Sequence, residues 1–177
     1  TDISRFKNKQ MALKIALNSA YGAIGNQYFR FYDIRIAEAV TYGGQLSIRW
    51  IEKALNGYFN EILETENVDY VLASDTDSVY ITFESLIDKL NPKDPVKFLD
   101  TICTEKIEPF IDGKYAELAD YVNAYEQKMV MAREVIADKG IWTAKKRYIL
   151  NVHNSEGVQY AEPKLKMMGI EAVKSST

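Results

Sequence analysis

The sequence predicts an α+β fold in which an antiparallel sheet has helices packed on one face. Two observations predict it: long stretches with helical spacing alternate with short β-branched and aromatic runs, and polar turns join those runs. Strands that follow one another through tight turns pair antiparallel. The length of 177 residues suits about one ordinary domain with a sizeable core.

The composition describes a globular protein, with 47% hydrophobic and 27% charged residues and a formal net charge of -3. A single cysteine, Cys103, excludes an internal disulfide framework and a Cys-rich zinc cluster. No apolar run reaches the ~18–20 residues of a membrane span, and no signal peptide opens the chain, so we expect a cytoplasmic protein without membrane contact.

The charge is unevenly distributed along the chain. Residues 1–50 carry seven basic and three acidic side chains, residues 51–138 carry eight and nineteen, and residues 139–177 carry seven and three. The overall balance argues mildly against nucleic-acid binding, but two basic ends around an acidic middle could place a positive surface beside a carboxylate cluster. Ordinary scatter with solvated acidic helix faces is the alternative.

The first third of the chain is predicted to be mainly helical. Residues 5–24 form the first helix because no Pro or Gly interrupts them before Gly22, and Gly22 and Gly25 act as stop signals. The aromatic residues 28–32 are predicted to be extended. A long helix then runs to about Leu63, because its apolar residues recur at spacings of three and four.

From Asp69 the pattern changes to strands. Residues 70–74 and 79–83 are predicted to form a hairpin with a polar tip, and residues 91–95 a loop. Helical spacing resumes at Leu99, and Pro109 is expected to break or kink that helix. Further predicted strands cover residues 128–137 and a second hairpin, 147–152 with 158–161, whose turn is 154–157.

The hairpin tip Ser74-Asp75-Thr76-Asp77-Ser78 is the most informative stretch. Hairpin tips normally hold Gly or Asn, and two neighbouring carboxylates repel each other unless a cation offsets their charge. Mg²⁺ prefers a few carboxylates together with waters and phosphates, so the tip is a candidate magnesium site. Two alternatives stay open: Asp is a common turn residue, and Asp-x-Asp also occurs in nucleotide-sugar transferases.

Two basic constellations accompany this tip. On the first helix Lys14 and Asn18 lie one turn apart, so that they could hold successive phosphates, and Tyr21 presents a ring one turn further on. The second constellation suits DNA phosphates and comprises Lys145, Lys146, Arg147 and Tyr148, with Lys164 and Lys166 beyond the hairpin. The alternatives are a solvated lysine above a packed tyrosine, and an exposed edge strand protected by lysines.

In this order, four motifs resemble those of family B DNA polymerases, in particular the replicative enzymes of T-even-type phages. The likeness runs from about Lys14 to the C-terminus, and its motifs are residues 14–22, 75–78, 145–148 and 163–169. The resemblance implies that residues 1–25 are the C-terminal helix of the fingers and that residues 26–177 belong to the palm, whose sheet is antiparallel. It also implies template-directed transfer of a nucleotide from a dNTP to a primer 3′-OH.

The resemblance implies a role for each matching residue. Asp77 corresponds to the direct ligand of two catalytic Mg²⁺ ions, which Mn²⁺ could replace, and Asp75 tunes that coordination. Lys14 and Asn18 correspond to the triphosphate contacts and Tyr21 to the residue beneath the nascent base pair. Lys146 would meet the primer terminus, with Tyr148 near the primer backbone and with Lys145, Lys164 and Lys166 on DNA. Glu134 matches an acidic position close to the metals, whereas Ala132 replaces an Asp of the phage relatives.

The family's upstream Asp-x-x-Ser-Leu-Tyr-Pro-Ser motif does not occur in this sequence. We therefore expect a piece of a larger or split polymerase, with negligible activity alone and with primer–template DNA, dNTP and the remaining palm, thumb and exonuclease segments as partners. The alternative is a non-catalytic module, derived from a polymerase palm, that binds DNA or a partner protein.

Overall fold

The structure is a computed structural model that describes residues 2–170. It contains helices together with two antiparallel sheets, which confirms the α+β class. The chain forms two compact units, of which the first ends at Leu46 and the second begins at Ser47. No helix among residues 2–170 is long and apolar enough to cross a membrane.

The first unit consists of helix α1 (Asp2–Ile24), a stretch of turns and the start of helix α2 (Ile34–Leu63). Helix α1 confirms the first predicted helix and has no buried residue. The extended structure predicted for residues 28–32 is wrong, because residues 27–31 form successive turns. The Asn26 side chain accepts the Tyr28 N–H at 3.0 Å, and this local hydrogen bond overrides the β-propensity of the aromatic residues.

The second unit contains the rest of α2, a two-stranded sheet, a run of helices and a three-stranded sheet. Its elements are β1 (Val71–Asp75), β2 (Ser78–Ile81), α3 (Glu84–Leu90), α4 (Pro95–Ile102), a π-helical turn (Cys103–Ile107), α5 (Glu108–Tyr121), β3 (Val135–Ala144), β4 (Arg147–Ser155) and β5 (Val158–Met168). Strands β1 and β2 pair with each other, and β4 lies between β3 and β5. The first predicted hairpin and the long helix are confirmed.

The predicted interruption near Pro109 takes the form of the π-helical turn. The Glu108 N–H bonds to the Cys103 carbonyl, and regular helix restarts at Glu108. Pro109 lies in the first turn of α5, directly after this widened turn, and it provides no N–H for the carbonyls of the preceding turn. The helical axis continues because the turn is widened rather than broken.

The strands of the three-stranded sheet differ from the predicted ones. Residues 128–134 are not a strand, and β3 starts at Val135, because the polar contacts of Arg133 fasten this segment to helices and to β4. Strand β5 continues through Pro163 to Met168, which an edge position permits. A further hairpin, unforeseen in the sequence, joins β3 to β4 at Lys145-Lys146.

Two hydrophobic clusters hold the second unit together. The larger one joins α2, β1, the π-helical turn and α5 through Ile51, Leu55, Phe59, Tyr70, Val71, Ile107, Ile111, Tyr115 and Leu118. The smaller one consists of Tyr148, Leu150 and Val152 on β4, with Tyr80 and Trp142 packed against it. Tyr80 belongs to β2, so this ring connects the two sheets.

Candidate functional site

The tip of the β1–β2 hairpin holds two carboxylates within one tight turn. Asp75 pairs with Ser78, which leaves Thr76 and Asp77 as the two connecting residues. The Asp77 N–H donates to the Asp75 carbonyl oxygen at 2.6 Å, and the Thr76 hydroxyl donates to the Asp75 carboxylate at 3.0 Å. Asp77 is exposed, whereas Asp75 is partly buried. The turn therefore presents both acidic side chains from a fixed backbone.

Thr76 gives this turn a strained backbone. Its φ is 52°, in the left-handed region that β-branched residues rarely adopt. Backbone strain of this kind costs about 1–3 kcal/mol and persists where the surrounding structure imposes it, often at functional sites. The two aspartates therefore flank a turn residue in a strained conformation.

A groove of about 610 Å³ runs through the second unit beside this hairpin. Strand β2 and the segment 131–140 contribute to its lining, which is mainly apolar. Its polar lining residues include Asp77, Ser78, Glu134 and Lys166. Three residues predicted to contact metal or DNA thus line the same groove.

The donor set of the hairpin suits a hard divalent cation. Carboxylate oxygens are the ligands that Mg²⁺ takes from proteins, and it completes its shell with waters and phosphates. Among residues 2–170 no group of three His, Cys, Asp or Glu side chains is arranged to hold an ion. The carboxylates of Asp75 and Asp77 can supply part of such a coordination shell. The Glu134 carboxylate instead accepts a hydrogen bond from the Lys166 ammonium at 2.7 Å.

The residues predicted to grip a primer occupy different surroundings. Lys145 and Lys146 form the exposed turn between β3 and β4, and Lys146 has a φ of 61°. Gly169, at a φ of 63°, lies against the Lys146 carbonyl, where any Cβ would collide. Gly169, directly after β5, thus packs against the backbone of the lysine turn. Lys164 is exposed, with its ammonium 4.2 Å from the Tyr160 ring centroid.

Tyr148 is buried rather than open to solvent, with 8% of its surface exposed. Its ring centroid lies 5.4 Å from that of Tyr80, and Trp142 lies 5.3 Å from Tyr80 on another side. Burial raises the pKa of Tyr80 above its ordinary value, and a hydrogen bond with Tyr148 acts in the same direction. The two rings join the carboxylate hairpin to the lysine hairpin.

The predicted nucleotide contacts belong to the first unit. Lys14, Asn18 and Tyr21 are all exposed on α1. The Tyr21 hydroxyl lies 2.8 Å from the Thr41 hydroxyl of α2, which fixes the position of this ring within the unit. Lys14 and Asn18 lie one helical turn apart, as their spacing predicts.

Sequence reasoning missed a partly buried polar cluster around Arg133. Its guanidinium donates to Asn154 at 2.9 Å and forms an ion pair with Asp100, and its backbone N–H donates to Glu108 at 2.8 Å. Burial raises the pKa of the neighbouring Cys103 thiol to about 11, although Arg133 opposes that shift. These partners lie 21 to 33 residues away in the chain, so no local pattern marks them.

Chemically, the second unit offers carboxylate oxygens for a divalent cation and ammonium groups for phosphates, a combination typical of proteins that transfer phosphoryl or nucleotidyl groups. The model of DNA polymerase family B matches residues 2–92, slightly more than half of the chain. The chain belongs to DNA polymerase family B, as the four motifs predict.

Individual relatives extend the similarity over nearly the whole chain. The DNA-directed DNA polymerases of Escherichia phage RB69 and Enterobacteria phage T4 are 47% and 44% identical to it over alignments of 182 positions. Each alignment covers 95% of this chain and 20% of the phage protein. The DNA polymerase beta of African swine fever virus, isolate Warthog, is 29% identical over 180 residues, 94% of this chain and 14% of the viral protein. The chain thus spans about a fifth of the length of its phage relatives.

Proposed function

We propose that this chain provides palm and fingers elements of a DNA-directed DNA polymerase that transfers a nucleotide from dNTP to a primer 3′-OH. The observation that carries the proposal is the strained two-carboxylate turn, in a chain of DNA polymerase family B. Residues 1–25 would be the fingers helix and residues 26–177 the palm. Primer–template DNA and dNTP would be the substrates, the remaining polymerase segments the partners, and the host cytoplasm the place of action.

The carboxylate hairpin would serve the metal-binding part of the reaction. Asp77 would bind Mg²⁺ directly, and Asp75, braced by the Thr76 hydroxyl, would orient the turn. Mn²⁺ could take the place of Mg²⁺, because both accept carboxylate oxygens. When bound, such ions would stabilise the negative charge on the attacking and leaving oxygens. The protein's part is to hold its two carboxylates in position, which the short turn does.

Cationic side chains would hold the two substrates. Lys14 and Asn18 would contact successive phosphates of the dNTP, and Tyr21 would lie beneath the new base pair. Lys146 would reach the primer end from its turn, with Lys145, Lys164 and Lys166 close to DNA phosphates. Since Tyr148 is buried against Tyr80, it would act on the primer by supporting this turn from within the sheet.

A chimeric polymerase tests the carboxylate assignment. The chain would replace the aligned segment of the phage RB69 relative, and primer extension would be measured with Asp77→Ala and with Asp112→Ala, an exposed aspartate of α5 as control. We expect Asp77→Ala to lower kcat by at least about 10²–10³-fold, the usual cost of losing a preorganised charge-stabilising group. Equal extension by the two variants would contradict the proposal.

The same chimera tests the nucleotide contacts. Lys14→Ala should raise the KM for dNTP about tenfold or more, since a charge-assisted hydrogen bond to phosphate contributes about 1.5–3 kcal/mol. Lys9→Ala, on the same helix, is the matched control and should leave this KM unchanged. An unaltered KM in the Lys14 variant would remove that residue from the proposed site.

A further inference from the structure

An ion pair lies on the groove that Asp77 also lines. The Lys166 ammonium donates to the Glu134 carboxylate at 2.7 Å, and the two side chains are 34% and 59% exposed. Glu134 belongs to the segment that precedes β3, whereas Lys166 belongs to the edge strand β5. The pair therefore joins two segments that are far apart in the chain.

The backbone around Glu134 is held from both sides. The Glu134 carbonyl accepts the Glu156 N–H at 2.7 Å. The preceding residue, Arg133, donates its N–H to Glu108 and its guanidinium to Asn154. Because these bonds reach α5 and β4, the Glu134 carboxylate projects from a fixed point.

Lys166 is the adaptable member of the pair. Its side chain has four rotatable carbons and three N–H donors, of which one is used by Glu134. The hydrogen bond to Glu134 raises the pKa of Lys166 further above neutrality. Two donors stay available for another oxygen anion.

The same geometry argues against Glu134 as a metal ligand. Its carboxylate is already compensated by an ammonium, and a divalent ion at that oxygen would meet the charge of Lys166 at close range. In the described part of the chain, Glu134 does not form a three-ligand group with Asp75 and Asp77.

We propose that Glu134 is a positioning residue that holds the Lys166 ammonium at the Asp77 groove, where it binds a DNA backbone phosphate. The inference rests on the proposed function, which supplies DNA as the ligand, and it assigns Glu134 a role other than metal coordination. Fixing the lysine in advance lowers the entropy cost of its phosphate contact, because a long side chain otherwise loses rotamer freedom on binding.

The test measures binding of a fluorescent primer–template duplex to the 177-residue chain over a series of salt concentrations. Glu134→Gln removes a negative charge, which by general electrostatics should strengthen binding to DNA. Positioning predicts the opposite, a loss of about three- to tenfold in affinity. Lys166→Met should lose at least as much and lower the salt slope by about one phosphate contact.

Another ion pair, which lies within α5, provides the matched control. Lys114 and Glu117 are also 2.7 Å apart, with side chains 30% and 56% exposed. Glu117→Gln makes the same charge change at the same exposure, so it reports the general electrostatic effect alone. The affinity of the Glu117→Gln variant for the duplex should equal that of the parent or be slightly higher.

The double variant and a metal titration complete the design. Lys166→Met should cost much less affinity in the Glu134→Gln background than in the parent, because the lysine is no longer held there. Mn²⁺ binding, followed by electron paramagnetic resonance, should weaken with Asp77→Ala and stay unchanged with Glu134→Gln.

Three results would overturn the inference: Glu134→Gln binding DNA as tightly as Glu117→Gln, equal effects of Lys166→Met in both backgrounds, or weakened Mn²⁺ binding by Glu134→Gln. Lack of measurable duplex binding by the parent chain would overturn it as well. The proposed function fails separately, on the Asp77→Ala chimera, so the two failures are distinguishable.

Discussion

The two units differ sharply in how much of their sequence is buried. In the first, α1 contains no buried residue, and Ala37 is the buried hydrophobic residue among positions 2–46. In the second, Ile51 and Leu55 of α2 are fully buried, and two hydrophobic clusters join the helices and sheets. Packing therefore holds the second unit, whereas local helical bonding dominates the first.

Because of this difference, substitutions in the two units should change different properties of the protein. An exposed helix leaves Lys14, Asn18 and Tyr21 open to a ligand, and substitutions there should change binding more than stability. The acidic hairpin of the second unit is placed by a packed core, so substitutions in that core should change stability first.

The largest expected effect is on the core of the second unit. Leu55→Ala should lower the free energy of unfolding by about 2–5 kcal/mol, because it leaves a cavity among fully buried neighbours. Leu17→Ala on α1, where the leucine is 73% exposed, should change it by less than about 0.5 kcal/mol. Urea unfolding followed by circular dichroism measures both, and similar losses would remove the contrast.

The next largest effect on stability is expected from substitutions at two glycines, Gly140 and Gly44. At Gly140 an added Cβ would lie 2.6 Å from the Trp142 ring and 2.8 Å from Leu150, so Gly140→Ala should cost about 1–3 kcal/mol. Gly44 in α2 has open space around it, and Gly44→Ala should stabilise the helix by up to about 1 kcal/mol. Thermal unfolding of the two variants should therefore shift in opposite directions, and a shared direction would count against the packing of Trp142.

The buried thiol makes the stability of the second unit depend on pH. Burial raises the pKa of Cys103 to about 11 from its ordinary value of 9.0, so the folded protein keeps a proton that the unfolded chain releases. This stabilisation is complete below about pH 9 and is lost as the pH rises towards 11.

The expected loss is about 1–2 kcal/mol between pH 8 and pH 10.5, since one proton contributes up to about 1.4 kcal/mol per pH unit. Urea unfolding at the two pH values should show a smaller loss for Cys103→Ala than for the parent. The comparison uses only the change with pH, so the cavity in the variant does not affect it. Equal losses of stability in the parent and in Cys103→Ala would show that the Cys103 thiol is open to solvent.

The smallest effect concerns the strain in the acidic turn. Thr76→Asn should stabilise the protein by up to about 1 kcal/mol, because Asn adopts the left-handed conformation more readily than a β-branched residue. Thr101→Asn, in the exposed face of α4, is the control and should give no gain. If Thr76→Asn destabilises the protein in unfolding measurements, the hydroxyl bond to Asp75 matters more than the backbone strain.

Much of the fold could be predicted from local patterns. The helical spacing of α1 and α2 and the alternation around Asp75–Ser78 depend on neighbours within a few residues, and the structure confirms all three. The extended structure predicted for the aromatic run 28–32 is wrong, because local turn hydrogen bonds to Asn26 and Phe29 outweigh its β-propensity. The strand predicted for residues 128–134 is wrong for another reason. Arg133 binds partners on α4, α5 and β4, which no local pattern reveals.

The sequence by itself determined the family, the α+β class and the identity of the acidic and basic motifs, because each is written in contiguous residues. Only the tertiary structure decided that Tyr148 is buried against Tyr80 and that Glu134 holds Lys166. The physical reason is that a side chain's partners across a sheet or groove are set by the register of distant strands. Composition and spacing describe which groups are present, and packing determines which of them meet.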